Sequence, residues 1–260
     1  MQSFWHKLPK PIIALAPMAG ITDSSFRLLC REHGADVVYT EMVSVAGLTH
    51  GSENTKRFLQ FNKKERPVVL QLFGSRPEEF VQASKLVAQA GFDGIDINFG
   101  CPAKKVNRND AGCTLMNNLD RVYDIIQATC EATKLPVSIK LRNGKGQVTA
   151  EQLVKKVLDL PIQAIMVHGR TFEQAFSGES DWQQIKKIRT IYPGILLANG
   201  GLDTPAKAQS VITELAVDGI GIGQGCWGKP WFFSQIKEQL RFNRYTQPTW
   251  AQIKRILLTH

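Results

Sequence analysis

Eight short apolar runs, each separated from the next by a longer stretch of helical character, restrict this chain of 260 residues to very few folds. The runs lie at 12–16, 37–41, 68–72, 94–98, 137–141, 164–168, 195–198 and 219–222. Each is rich in Val, Ile and Leu without strict polar alternation, the pattern of a strand covered on both faces. Between them, 24–32, 77–90, 119–133, 150–158, 182–191 and 204–213 carry helical periodicity, so the repeat is strand then helix rather than hairpins. Parallel strands joined by helical crossovers follow. Eight such units in about 250 residues match a closed (β/α)8 TIM barrel better than an open doubly wound sheet. The first strand also ends in Ala16-Pro17-Met18-Ala19-Gly20, with no G-x-G-x-x-G turn. The sequence thus predicts an α/β barrel over residues 1–243. Beyond Pro248, residues 249–258 predict an amphipathic helix with Ile253, Ile256 and Leu257 on one side. A lone helix cannot bury both faces, so 244–260 reads as the beginning of a helical extension or as a segment docked on the barrel.

Lys and Arg outnumber Asp and Glu by 32 to 23, a formal charge of +9, which favours polyanionic partners but also serves simple solubility. The cysteines Cys30, Cys101, Cys113, Cys130 and Cys226 are odd in number, widely spaced and form no C-x-x-C. They predict neither a disulfide framework nor a metal site, and they fit a cytoplasmic protein. No run approaches the ~18 apolar residues of a membrane span.

Barrel active sites lie where the strands end, so polar residues there take precedence. They are Glu41, Gln71, Asn98, Cys101, Lys140, His168 and Asn199. Lys140, inside an apolar strand, is costly to bury unless it meets a partner, and it reads either as half of an ordinary ion pair or as a functional cation. Asn199-Gly200-Gly201 and Gly223-Gln224-Gly225 each follow a strand and precede a helix. Glycine turns at the seventh and eighth positions let backbone amides approach an anion, the usual barrel phosphate site. Cys101, held between Gly100 and Pro102 at the barrel mouth, reads as a nucleophile or a proton donor. No His and Asn set of a cysteine hydrolase accompanies it.

Together these segments resemble one family, the tRNA-dihydrouridine synthases, and most closely its bacterial members. The resemblance rests on Ala16-Pro17-Met18-Ala19-Gly20-Ile21-Thr22-Asp23, Thr40-Glu41-Met42-Val43-Ser44, Asp96-Ile97-Asn98-Phe99-Gly100-Cys101-Pro102, Lys104-Lys105-Val106, Val167-His168-Gly169-Arg170-Thr171, Asp181-Trp182, Asn199-Gly200-Gly201 and Gly228-Lys229-Pro230-Trp231. It implies an FMN-dependent oxidoreductase that reduces a uridine of tRNA to 5,6-dihydrouridine, with NADPH as electron donor. By resemblance Pro17, Met18 and Ala19 line the flavin ring, Gln71 meets its polar edge, and Lys140 stands near N1. His168, Asn199, Gly200, Gly201, Gly223 and Gln224 surround the phosphate. Hydride passes from flavin N5 to uracil C6, and Cys101 gives a proton to C5. Asn98 bonds the uracil edge, while Lys104, Lys105, Arg108, Arg142 and Arg170 are substrate or phosphate contacts.

Two residues depart from the family's pattern. Gln224 stands where the family usually has Arg, and Phe172 replaces an Arg common after Arg170-Thr171. Members also continue into a C-terminal helical domain that grips tRNA, of which 249–260 is the beginning, so the resemblance implies truncation. Two other readings remain open at the level of sequence: an FMN barrel for a small pyrimidine or dihydroorotate, and a tRNA-binding protein without turnover. The modified uridine, the preferred nicotinamide and the oligomeric state are not legible.

Overall fold

The structure is a computed structural model and describes residues 3–107 and 110–259. Its strands are β1 (Ile12–Leu15), β2 (Val37–Ser44), β3 (Val68–Phe73), β4 (Gly94–Phe99), β5 (Val137–Arg142), β6 (Ala164–His168), β7 (Ile195–Asn199) and β8 (Gly219–Ile222). They form one closed, all-parallel barrel in sequence order, shut by the β1–β8 pairing of Ile12 with Gly219 through Leu15 with Ile222. The expected TIM barrel is therefore present. The main helices are α1 (Ser24–Glu32), α2 (Pro77–Ala90), α3 (Leu119–Ala132), α4 (Ala150–Lys156), α5 (Trp182–Ile191), α6 (Pro205–Leu215), α7 (Phe232–Phe242) and α8 (Trp250–Thr259).

Local chemistry sets where the helices start. Asp23, Asn118, Thr149, Asp181 and Thr204 each accept a first-turn amide through the side chain. Pro77 and Pro205 occupy first turns, where their missing N–H costs nothing. Several boundaries differ from the sequence expectation. Strand β2 runs on to Ser44 because its register shifts between Tyr39 and Met42, which keeps it paired with β3. Strand β5 gains Arg142, which pairs with His168 of β6. A small antiparallel hairpin, Gly144–Lys145 with Val148–Thr149, follows β5 and has no counterpart in the sequence reading.

Apolar packing divides into two zones. One lies between strands and helices and holds residues such as Leu70, Phe80, Ile97, Ile125, Ile139 and Phe233. The other fills the barrel interior: Ile12, Tyr39, Val69, Met166 and Leu197, closed at one end by the fully buried Trp5. At that same N-terminal rim three aspartates each hold the amide of a neighbouring strand or its first residue: Asp36 on Ile13 at 2.8 Å, Asp93 on Val68 at 2.8 Å and Asp218 on Leu196 at 2.9 Å. Helix α8 follows an extended stretch that α7 tethers through Gln235 to Thr246 and Glu238 to Thr246. Trp250, Leu257 and Leu258 on α8 are exposed. Among the described residues no helix is long and apolar enough to cross a membrane.

Candidate functional site

At the C-terminal rim the loops surround a cavity of about 700 Å³. The size suits a bound cofactor with part of a substrate. Its walls include Pro17, Met18, Ala19, Gln71, Asn98, Cys101, Lys140, Arg142, His168, Arg170, Asn199, Gly200, Gly201, Gly223 and Gln224. With Met42 of β2 also in the wall, one cavity thus gathers residues from all eight strand ends. Lys104 is exposed in a helical turn, Lys104–Asn107, outside that wall. The side chain of Lys105 and all of Arg108 lie outside the described residues.

The β1 loop is shaped by its neighbours. The Thr22 hydroxyl accepts the Met18 amide at 3.1 Å, and the Gly20 amide donates to Glu41 Oε1 at 2.5 Å. Gly20 has φ +75°, a left-handed turn that suits glycine. The bend turns Pro17, Met18 and Ala19 into the cavity wall.

Strands β3 to β5 build the polar floor, because residues two apart in a strand share a face. In register, Gln71 pairs with Asp96, Asp96 with Ser138, and Asn98 with Lys140. Their side chains form a continuous chain of hydrogen bonds. Ser138 donates to Asp96 Oδ1 at 2.7 Å, and Gln71 Nε2 donates to Asp96 Oδ2 at 2.7 Å. Asn98 Nδ2 donates to Gln71 Oε1 at 2.8 Å, and Asn98 Oδ1 accepts the amides of Gly100 at 3.0 Å and Cys101 at 2.9 Å. Both amide orientations are fixed from each end: a carboxylate can only accept, and a backbone N–H can only donate. Asn98, expected to face a uracil, also positions the Cys101 loop.

Burial raises the Asp96 carboxyl to about 6, against the hydrogen bonds from Gln71 and Ser138 and the charge of Lys140. Burial likewise brings Lys140 down to about 8, with Arg142 adding to the fall and Asp96 opposing it. Among the described residues Lys140 has neither a hydrogen bond nor an ion pair within 4 Å, so the ordinary ion-pair reading fails. Its ammonium is directed at the cavity it lines. The Cys101 thiol is pushed above its ordinary value by burial, against the Ala103 backbone and the charges of Lys140 and Arg142. A raised thiol stays protonated at neutral pH, which favours an acid over a nucleophile.

His168 is driven down to about 2 by burial and by Lys140, Arg142 and Arg170. Its Nδ1 accepts the Arg170 amide at 3.2 Å, so the neutral ring carries its proton on Nε2. Asn199 donates to the Gly221 carbonyl at 2.7 Å, bracing β7 on β8. Gly200 and Gly201 follow with φ +109° and +65°. A Cβ on Gly200 would stand 2.8 Å from Ser180 Oγ and 3.0 Å from His168 Cε1, so only glycine fits. That bare turn, a neutral imidazole donor and a free ammonium suit a phosphorylated, electron-accepting ring such as FMN. The residues fit that cofactor.

Arg142 and Arg170 have partners that the sequence did not show. Arg142 lines the cavity and is buried, 2% exposed. Its guanidinium donates to Gly100 at 2.9 Å, Thr171 at 2.9 Å and Ala175 at 2.6 Å, binding the β4 loop to the β6 loop. Arg170 stands against the glycine turn, with Nη2 3.4 Å from where a Gly201 Cβ would lie. Asp96, Ser138, Ser180, Phe176 and Trp227 were missed by the sequence reading. For Asp96 the signal was present, since it lies two residues before Asn98 on the same strand face. Phe176 and Trp227, exposed by 59% and 62%, edge the cavity, and no periodicity marks such loop aromatics.

A family model described as dihydrouridine synthase (Dus) matches residues 14–260. The tRNA-dihydrouridine synthase B of Shewanella oneidensis is 35% identical, covering 100% of this chain and 81% of that protein. The protein of the same name from Escherichia coli K12 is 34% identical, covering 98% and 80%. Among solved structures, a variant of NCR from Zymomonas mobilis superposes with a TM-score of 0.65 at 15% identity, covering 97% of this chain and 96% of that one. TcOYE with pHBA gives 0.59 at 17%, covering 93% and 92%. At such identities the structural likeness establishes the fold alone.

Proposed function

The chain belongs to the dihydrouridine synthase family of oxidoreductases, and from that premise we propose that it reduces a specific uridine of tRNA to 5,6-dihydrouridine, using bound FMN and NADPH as the electron source. The observation that carries this reading is the convergence, in one cavity, of the Cys101 thiol, a Lys140 ammonium unpaired among the described residues, and the Gly200-Gly201 turn.

Pro17, Met18 and Ala19 would cover the flavin ring and Gln71 and Lys140 its polar edge, with His168, Asn199, Gly200, Gly201, Gly223 and Gln224 around the phosphate end. FMN, when bound, would supply the hydride that uracil C6 takes up. The Lys140 ammonium would favour negative charge on a ring held beside it. Cys101 supplies the proton that C5 then requires, and its raised pKa keeps that proton available. Asn98 holds the Cys101 backbone and offers its amide edge to the base. Arg142 keeps the β4 and β6 loops together, and its second amino group is free to meet substrate oxygens. Phe176 and Trp227 offer stacking surfaces to a nucleotide that has left its helix, an exchange that costs least in a loop. Lys104, Lys105 and the net charge of +9 favour the RNA backbone over a free pyrimidine.

The test is to map dihydrouridine in tRNA from a strain lacking the gene and to restore it with the purified protein, FMN and NADPH. Loss of dihydrouridine at one position and its return on addition are expected. Unchanged tRNA, with turnover of free uracil or dihydroorotate instead, would overturn the proposal.

A further inference from the structure

The Ser180 hydroxyl is buried and has no hydrogen-bond partner among the described residues. A buried hydroxyl without a partner carries a desolvation cost of about 1–3 kcal/mol, so its direction is informative. It points at the glycine turn: the Cβ positions of Gly200 and Gly201 lie 2.8 and 3.4 Å from Ser180 Oγ. The segment is pinned there, since the Asp181 amide donates to the Gly169 carbonyl at 2.7 Å and a Cβ on Gly169 would lie 2.8 Å from Ser180 Cβ.

Arg170 approaches the same turn from the β6 loop. Its Nε donates to the Gly178 carbonyl at 2.9 Å, which fixes the guanidinium plane and leaves both amino groups unused by any described residue. No carboxylate is paired with it among the described residues. Asp203, the nearby acid of the β7 loop, pairs with Lys207 at 3.5 Å instead. On the β8 side the only polar side chain in the turn is Gln224, which is uncharged. The turn therefore presents a hydroxyl, a guanidinium and bare backbone, with its positive charge arriving from β6 rather than β8.

We propose that Ser180 and Arg170, with Gly200-Gly201, seat a phosphate monoester, and that Arg170 supplies the charge that Gln224 does not. The inference rests on the flavin reading above. It assigns the phosphate to the cofactor, FMN, rather than to the RNA backbone, and it takes Arg170 away from RNA.

The experiment measures FMN and riboflavin affinity of the apoprotein by flavin fluorescence, and tRNA affinity of the FMN-loaded protein by filter binding. Ser180→Ala and Arg170→Met should each weaken FMN by roughly tenfold, the scale of a charge-assisted hydrogen bond. Riboflavin and tRNA affinities should stay within about twofold. Adding Gln224→Arg to Arg170→Met should restore most of the FMN affinity, which also shows that the Arg170 variant is folded. The proposal is overturned if FMN binding is unchanged, if riboflavin weakens in parallel, or if tRNA binding falls while FMN binding holds. A wild-type protein that does not prefer FMN to riboflavin overturns it too. Failure of the family activity would look different, namely intact FMN preference without dihydrouridine formation.

Discussion

Removing the Lys140 charge should make the apoprotein more stable while weakening its grip on the flavin. The ammonium falls from 10.5 to about 8 on folding, chiefly through burial. Each pH unit of that fall is worth about 1.4 kcal/mol, so the charge costs the apoprotein at most ~3 kcal/mol at pH 7. Water in the cavity lowers that ceiling, and about 1–3 kcal/mol is the expected gain for Lys140→Met, which keeps the length of the stem. The sign with pH follows from proton binding. Between pH 8 and 10.5 the unfolded chain holds the Lys140 proton and the folded chain has released it, so wild-type stability rises with pH relative to the variant. The gap should be widest at pH 7, shrink to roughly a quarter by pH 10 and close only above pH 10.5. Urea unfolding of both apoproteins at the two pH values reads it directly, and FMN titration at pH 7 supplies the opposite sign. Equal stability at pH 7, or a gap that ignores pH, would refute the argument.

Cys101→Ala should retain FMN and NADPH oxidation while uridine reduction falls by about 10²–10⁴, the range for losing a general acid; full turnover would remove the thiol from the mechanism. Because that thiol lies above its ordinary value of 9.0, wild-type uridine reduction should not decline from loss of this proton below pH 9, and a single-turnover profile falling by pH 8 would contradict it. Arg142→Ala leaves three carbonyls without their donor and should destabilise by about 2–4 kcal/mol in urea; a change below about 1 kcal/mol would mean that the loops hold without it. Binding of tRNA should weaken steeply between low and moderate salt as counterion release fades, whereas a flat response in filter binding would point away from phosphate contacts.

The strands were legible because covered parallel strands leave short apolar runs, and their length and Val and Ile content separate them from buried helices. The glycine turns at 199–201 and 223–225 were legible from their place in the strand order. Arg142 was legible as a residue of the cavity but not as a brace, because its three carbonyl partners come from loops distant in sequence. Ser180 was silent for the same reason: an ordinary loop serine gains meaning only when the chain brings Gly200 against it. Lys140 was legible as unusual, but whether a carboxylate met it depended on side-chain reach across β4. Asp96 spends its oxygens on Ser138 and Gln71 instead.

The run from Ser138 through Asp96, Gln71 and Asn98 to Cys101 has a direction, because each of its two amides gives a proton on one side and takes one on the other. A carboxylate cannot stand in for such a group, although it has nearly the same shape. Gln71→Glu and Asn98→Asp would therefore break the sequence of donors at its middle, setting two acceptors face to face. The floor of this barrel has an internal grammar, and a change far from the thiol can displace it by reversing a single donor. On the strand beside the one that leads into Cys101, the isosteric Gln71→Glu would be felt as a misplaced loop.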